Sequence, residues 1–132
     1  MSLERFTQAQ EKTYSGALAE LKAGQKTGHW IWWVFPQLRG LGASHNSTYY
    51  GLADETEAAD YLAHPVLGTR YRECVAALHG HLCKDGVSPL ALMGSEVDVL
   101  KLRASLGLFR KVTSQAESGL MRQIDEILPV LD

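Results

Sequence analysis

Several features that define common protein classes are missing from this sequence of 132 residues. With 13 lysine and arginine residues against 15 aspartate and glutamate residues, the chain lacks the basic excess of a nucleic-acid-binding or membrane-surface protein. No apolar run approaches the roughly 20 residues that a transmembrane helix needs. The N-terminal segment also lacks the cationic and apolar halves of a signal peptide. We therefore expect a cytoplasmic protein with neither a nucleic-acid nor a membrane partner.

The sequence is poor in cysteine, with only Cys74 and Cys83. If both lie on one helix, they are separated by roughly 13 Å along its axis, which is too far for a disulfide. Reduced thiols are typical of a cytoplasmic protein.

The motifs GxxxxGK[ST], GxGxxG, HExxH, CxxC and GxSxG are all absent. The sequence therefore predicts no metal site and no cofactor.

Apolar residues recur at spacings of three and four along most of the chain, which indicates amphipathic helices. The predicted helices cover roughly residues 7–23, 29–35, 55–63, 65–84, 95–112 and 120–131, with a short helical segment at 89–94. A capping box at Thr7 and Gln10 is expected to begin the first helix. Gly107 costs about 1 kcal/mol relative to alanine inside its helix, which favours close backbone packing there. Because no segment alternates with period two, we predict an all-α, compact single domain of about six helices.

One stretch, His29 to Leu52, holds all three tryptophans, two of the five tyrosines and two of the five histidines. It begins with an apolar helical turn, reaches Pro36 and continues as a polar loop. Large rings beside hydrogen-bonding loop residues are typical of a pocket wall with a polar rim. The stretch therefore predicts where a site lies.

His29 begins the predicted tryptophan helix, where the helix dipole favours an anionic ligand or a neutral imidazole. It is either a general base or hydrogen-bond donor in a pocket, or a histidine that satisfies a neighbouring backbone group. At 100° per residue, Trp30 and Trp33 share a helix face and Trp32 points elsewhere. At least one indole is therefore expected in the core, and another is expected to stack on a flat ligand ring.

The loop that follows carries amide, guanidinium and hydroxyl groups suited to a sugar phosphate or a carboxylate. These groups belong to Gln37, Arg39, Ser44, His45, Ser47 and Tyr50. The alternative is that the serines satisfy the loop backbone, which is their commonest role in turns.

Further candidates lie later in the chain. His64, which precedes Pro65, either caps the following helix or lines the pocket. Lys101 and Ser105 are one turn apart, with Asp98 a turn earlier, and together they form a polar ridge. An Asp98–Lys101 pair on a solvated ridge is worth only about 0.2–0.5 kcal/mol.

Three blocks, HWIWWVFPQLRGLG followed by SxxSxYYGL, YLAHPVLGTRYREC and DVLKLRASLGLF, resemble in the same order the bacterial domain-of-unknown-function family numbered 1810. The resemblance covers residues 14–109 and implies a compact multi-helical domain without an established reaction. The family's polar signature falls on Lys26, His29, Trp30, Gln37, Ser44, Ser47, Tyr50, His64, Asp98, Lys101 and Ser105. Ala104 and Gly107 replace the hydroxyl residues that are usual in the family.

Together these patterns predict a pocket for a small molecule of the nucleotide or ADP-ribose type, with hydrolysis of an N-glycosidic bond as a candidate reaction. In that reaction His29 or Asp98 acts as the general acid or base. The predicted ligand-binding residues are Lys26, Trp30, Trp33, Gln37, Arg39, Ser44, Ser47, Tyr50, His64, Lys101 and Ser105. The alternative is a non-catalytic module that holds a small molecule or a partner's peptide. The sequence leaves open whether the protein is an enzyme and which oligomeric state it adopts.

Overall fold

The computed structural model describes residues 3–132, which form an all-α structure with 73% of the residues in helices. The α-helices are α1 (Glu4–Ala23), α2 (Ile31–Val34), α3 (His45–Tyr49), α4 (Glu55–Ala63), α5 (Leu67–His79), α6 (Pro89–Met93), α7 (Glu96–Val112) and α8 (Ser118–Ile127). A π-helical segment, Gly80–Lys84, extends α5, and two 3₁₀ segments, Gln115–Glu117 and Leu128–Leu131, flank α8. The all-α prediction is confirmed. The described residues contain eight α-helices rather than about six, because α3 lies inside the predicted loop and α6 is the predicted short segment.

Helix α5 lies at the centre of the core and packs against α1, α4 and α8. Its predicted apolar stripe is buried, with Tyr71, Cys74 and Leu78 all at most 1% exposed. The Tyr71 ring stacks on Phe109 of α7, with 4.2 Å between the ring centroids. The three-and-four spacing in the sequence therefore identified the face of α5 that is buried. No helix among residues 3–132 has the length and apolar character needed to cross a membrane.

The start of α1 differs from the prediction. The helix begins at Glu4 after Leu3, and no side chain caps it. Thr7 Oγ1 donates to the Glu4 carbonyl at 3.0 Å. The predicted partner Gln10 is 1% exposed, and its Nε2 donates to the Trp33 carbonyl at 2.6 Å. A buried amide needs a hydrogen-bond partner, so Gln10 bonds to this carbonyl in the core instead of serving a cap.

The packing predicted at Gly107 is wrong. No described atom beyond its own helix backbone and chain neighbours lies within 4 Å of a Cβ built at Gly107. The close approach occurs instead at Gly68 of α5, where a Cβ would lie 2.0 Å from the Leu62 carbonyl oxygen. Glycine is therefore required where α5 crosses the end of α4, whereas Gly107 faces an open groove.

The connection between α2 and α4 is held by a backbone bridge and by two arginines. Leu52 N donates to the Gln37 carbonyl at 2.9 Å, and Arg39 N donates to the Leu52 carbonyl at 2.7 Å. Arg5 of α1 reaches the same loop and donates to the Gly51 carbonyl at 3.1 Å. The loop is therefore ordered by specific contacts, and its Tyr50 ring packs against the ring of Trp33.

Candidate functional site

The tryptophan segment, defined here as residues 28–33, runs antiparallel to helix α1. Trp30 Nε1 donates to Glu20 Oε1 at 2.9 Å, and three residues later Trp33 Nε1 donates to Thr13 Oγ1 at 2.9 Å. Gln10 holds the carbonyl of the same Trp33. The later residue of the segment, Trp33, contacts a residue nearer the start of α1 than Trp30 does, so the two stretches lie side by side in opposite directions.

A cleft of about 380 Å³ lies between α1 and the tryptophan segment. Its lining residues are Lys12, Thr13, Ser15, Gly16, Ala17, Glu20, Gly28, His29, Trp30 and Trp33. The volume falls in the range of small-molecule sites. A Cβ built at Gly16 would have no described atom within 4 Å beyond the surrounding helix backbone, so the middle of the cleft is open. Three of the predicted site residues, His29, Trp30 and Trp33, line this cleft together.

Glu20 anchors one end of the cleft. Its Oε1 accepts hydrogen bonds from Thr27 N at 2.7 Å, Gly28 N at 2.9 Å and Trp30 Nε1 at 2.9 Å. Partial burial works to raise the pKa of Glu20, but these three donors and the Thr27 side chain outweigh it and lower this pKa to about 2. The carboxylate is therefore ionised throughout the neutral pH range.

Sequence reasoning missed Glu20. A signal was present, because the loop after α1 contains Gly24 and Gly28, and its backbone N–H groups need acceptors. An acidic residue in the last turn of α1 is also opposed by the helix dipole, which suggests a compensating contact beyond the helix.

Lys26 holds the other side of the tryptophan segment. It is 8% exposed, and its Nζ donates to the Gly28 carbonyl and to Asp98 Oδ2, each at 2.7 Å. The same ammonium lies 5.2 Å from the centroid of the Trp30 ring. The N–H of Gly28 is bound by Glu20 and its carbonyl by Lys26, so this residue is clamped between α1 and α7.

Asp98 is shared by two lysines. Besides Lys26, Lys101 Nζ donates to Asp98 Oδ1 at 3.3 Å, and this ammonium lies 3.9 Å from the centroid of the Trp32 ring. Partial burial works to raise the pKa of Asp98, but the hydrogen bond and charge of Lys26, together with those of Lys101, lower it below its ordinary value. The carboxylate is thus ionised, and its charge is balanced within the protein.

His29 does not begin a helix as predicted. Helix α2 begins at Ile31 with Trp30 as its N-cap and has only four residues. Both backbone groups of Gly28 are bonded to side chains, which keeps residues 28–30 in a turn. His29 is exposed at the mouth of the cleft, where its imidazole can contact a bound molecule.

The remaining predicted residues do not meet in this cleft. Ser44 Oγ caps α3 by accepting from Ser47 N at 3.2 Å, and Arg39 donates to the Thr48 and Gly51 carbonyls. Gln37 is buried and contributes its carbonyl to the bridge with Leu52. These contacts correspond to the alternative in which loop residues satisfy loop backbone.

Tyr50, His64 and Ser105 also have partners of their own. The Tyr50 ring lies 5.0 Å from that of Trp33, and burial raises the Tyr50 pKa. His64 Nδ1 accepts from Val66 N at 3.1 Å and Leu67 N at 3.2 Å, so His64 caps the start of α5. Ser105 is fully buried and hydrogen-bonds the Tyr71 hydroxyl at 3.0 Å.

Ser47 provides a prediction about stability. It is 1% exposed, and its Oγ has no hydrogen-bond partner among the described residues. An unpaired buried hydroxyl is costly, so Ser47→Ala should leave the free energy of unfolding unchanged or raise it by up to about 1 kcal/mol. Ser105→Ala is the matched comparison, because it strands the Tyr71 hydroxyl and should lower stability by about 1–3 kcal/mol. Urea unfolding measures the stability of both variants. A loss above about 1 kcal/mol for Ser47→Ala would contradict the view that the Ser47 hydroxyl is unpaired.

Another groove, of about 370 Å³, lies between α6, α7 and the C-terminal 3₁₀ segment. It is lined by Ser88, Pro89, Leu90, Glu96, Val99, Leu100, Val130, Leu131 and Asp132. It has no aromatic ring and contains none of the predicted site residues. Within residues 3–132, no three His, Cys, Asp or Glu side chains are grouped closely enough to hold a metal ion. The tryptophan-lined cleft is therefore the better candidate site.

The fold and the cleft define a small all-helical protein whose tryptophan segment is clamped between its first and seventh helices. The chain belongs to the family described as "Protein of unknown function (DUF1810)", whose model matches residues 1–128, so the resemblance stated above is confirmed. It is also similar to the conserved hypothetical protein Rv1873 from Mycobacterium tuberculosis. That crystal structure matches with a TM-score of 0.84 and 38% identity over 96% of this chain and 84% of the other. Among curated proteins, none matches the chain.

Proposed function

We propose that the cleft between α1 and the tryptophan segment binds a small molecule of the nucleotide or ADP-ribose type. The observation that carries this proposal is the open floor at Gly16. Glycine inside a helix costs about 0.5–1 kcal/mol relative to alanine. At Gly16 no described atom beyond the helix backbone and its chain neighbours lies within 4 Å of a built Cβ, so a larger side chain there would extend into the cleft.

The chemistry of the lining supports a nucleotide. The Trp33 ring is partly exposed and offers a flat surface on which a base can stack, whereas Trp30 is 3% exposed. The hydrogen bonds that Glu20 accepts from Thr27 N, Gly28 N and Trp30 Nε1 all reach Oε1. We assign Oε2 as the acceptor for a ribose hydroxyl. Lys12 and His29 at the rim supply donors for a phosphate. Lys26, a predicted ligand-binding residue, already donates to Asp98 and Gly28, so we assign phosphate binding to Lys12.

Hydrolysis of an N-glycosidic bond is the second candidate function, and the ionised state of Glu20 favours it. Cleavage of such a bond develops positive charge on the ribose, which a nearby carboxylate stabilises. Water adds to C1′, the C1′–N bond breaks, and the base leaves with its electron pair while the water proton goes to His29 or solvent. Glu20 suits this role better than Asp98, because two ammonium groups already balance the charge of Asp98.

Calorimetric titration of the full chain with AMP, ADP-ribose and nicotinamide mononucleotide tests the proposal. We expect saturable binding of at least one of them, with a thermal stabilisation that reaches about 2.7 kcal/mol at one hundred times Kd. Chromatography of the same mixtures detects any free base. Product that disappears in Glu20→Gln supports hydrolysis, and binding without product supports the non-catalytic alternative. No binding of any probe at millimolar concentration would contradict the proposed function.

A further inference from the structure

The outward face of α7 is apolar in its middle. Glu96, Leu100, Ala104, Gly107 and Lys111 follow one another at spacings of three or four, which places them on one side of the helix. Glu96 and Lys111 are exposed, and Leu100 is 64% exposed. The solvent face of a helix normally carries polar side chains, so leucine, alanine and glycine in its middle indicate a contact that the single chain does not make.

Other exposed apolar side chains lie beside this face. Among residues 3–132, four of the seven exposed large hydrophobic side chains lie on α7 or next to it, namely Leu90, Val97, Leu100 and Val130. Leu90, Leu100 and Val130 line the groove between α6, α7 and the C-terminal 3₁₀ segment. Exposed apolar side chains that are grouped in this way mark an interaction surface, whereas isolated ones do not.

Leu100 lies between two grooves and lines both of them. The second groove has a volume of about 350 Å³ and also includes Gly107 and Leu128 in its lining. A Cβ built at Gly107 would have no described atom within 4 Å beyond its helix backbone and chain neighbours. The face therefore combines a protruding leucine with a recess that is open to a side chain from another molecule.

The two ends of the face carry opposite charges. Glu96 lies in the first turn of α7 and Lys111 in its last turn. The ion pairs among residues 3–132 include neither of them. Leu100 comes four residues after Glu96, and Gly107 comes four residues before Lys111. A second copy of α7 that runs antiparallel therefore places each Leu100 at the other copy's Gly107 when each Glu96 faces the other copy's Lys111.

We propose that this face of α7 binds a second copy of the chain in a twofold, antiparallel helix pair. In such an interface every contact occurs twice, as the exchange of Leu100 and Gly107 requires. The small Ala104 near the twofold axis lets the helices approach closely. Arg103 is bonded to Asp132 of its own chain at 2.6 Å, so its charge near the axis is balanced. One helix face is a small contact area, so the dimer is weak, and it forms independently of the nucleotide cleft.

Sedimentation velocity of the full chain, from roughly 10 µM to roughly 1 mM, measures the association. We expect a reversible dimer. Glu96→Lys would place two lysines opposite each other at both ends of the pair and should raise the dimer dissociation constant at least about tenfold. Gly107→Leu should do the same, because its side chain would fill the recess for Leu100. Glu55→Lys is the matched control, because Glu55 is also exposed and also the first residue of a helix, and it should leave the dimer unchanged.

A charge exchange tests the antiparallel direction. Glu96→Lys combined with Lys111→Glu in one chain restores opposite charges across the pair, so the dissociation constant should return to within about threefold of the original. Both changes oppose the dipole of α7, so stability of the single chain should fall while association recovers. Thermal unfolding at roughly 1 µM, where the weak dimer is dissociated, verifies that each variant folds.

Three results would overturn the inference. The first is a chain that stays monomeric through the whole concentration series. The second is a dimer that Glu96→Lys and Gly107→Leu leave intact, because the contact would then lie elsewhere. The third is a dimer that the charge exchange does not restore, because the two copies of α7 would then not run antiparallel.

Discussion

Replacing Arg5 with methionine should lower the free energy of unfolding by about 3–5 kcal/mol, the cost of removing one partner from a buried ion pair. Arg5 is 5% exposed. Its Nη2 donates to Glu57 Oε1 at 2.9 Å, and its Nε donates to the Tyr49 carbonyl at 2.9 Å. The substitution would leave the Glu57 carboxylate, whose pKa the Arg5 contact helps to lower, without its counter-ion.

Arg39→Met is the matched control for this prediction. Arg39 is exposed, yet it donates to the same Gly51 carbonyl as Arg5, at 3.0 Å. Hydrogen bonds from an exposed side chain are replaced by water, so this variant should lose no more than about 1 kcal/mol. Guanidinium unfolding measures both. If both variants lost the same free energy of unfolding, the burial of Arg5 would not determine how much it stabilises the protein.

Replacing Gly16 with leucine should weaken nucleotide binding without weakening the fold. The new side chain would extend into the open cleft, where a Cβ has no described neighbour beyond the helix. We expect the dissociation constant for nicotinamide mononucleotide to rise at least about tenfold, a loss of about 1.4 kcal/mol. The free energy of unfolding should rise by about 0.5–1 kcal/mol, because leucine is the better helix former.

Gly107→Leu is the control for the cleft. Gly107 also lies inside a helix with open space at its Cβ position, but it faces the groove lined by Leu100 and Leu128. The free energy of unfolding should rise by a similar amount in both variants. Only Gly16→Leu should weaken the binding of nicotinamide mononucleotide. Loss of binding in Gly107→Leu alone would move the site to the α7 groove.

The helical fold follows from the sequence because each of the longer helices buries its own apolar residues. The stripe of α5 and the caps at Asp54 and Ser95 depend on residues three or four apart, so local patterns are sufficient to predict them. The start of α1 departs from its local pattern because Gln10 bonds to Trp33, 23 residues away. A local pattern carries no information about such a partner.

The candidate site was predictable only in part for the same reason. The tryptophan-rich stretch marked one wall of the cleft, and His29, Trp30 and Trp33 line it. The opposite wall comes from the polar and small residues of α1, which resemble an ordinary solvated helix face. The pairing of Lys26 with Asp98 joins residues 72 positions apart. Contacts of that range depend on tertiary packing, which a single sequence does not display.

The most direct test of a ligand site between α1 and the tryptophan segment uses the three indole N–H signals in a nitrogen–proton correlation spectrum. The signals can be assigned from single Trp→Phe variants. Titration with nicotinamide mononucleotide should shift the signals of Trp30 and Trp33, which line the cleft, and leave that of Trp32 in place beneath Lys101. A shift confined to Trp32, or three unchanged signals at saturating ligand, would contradict the account.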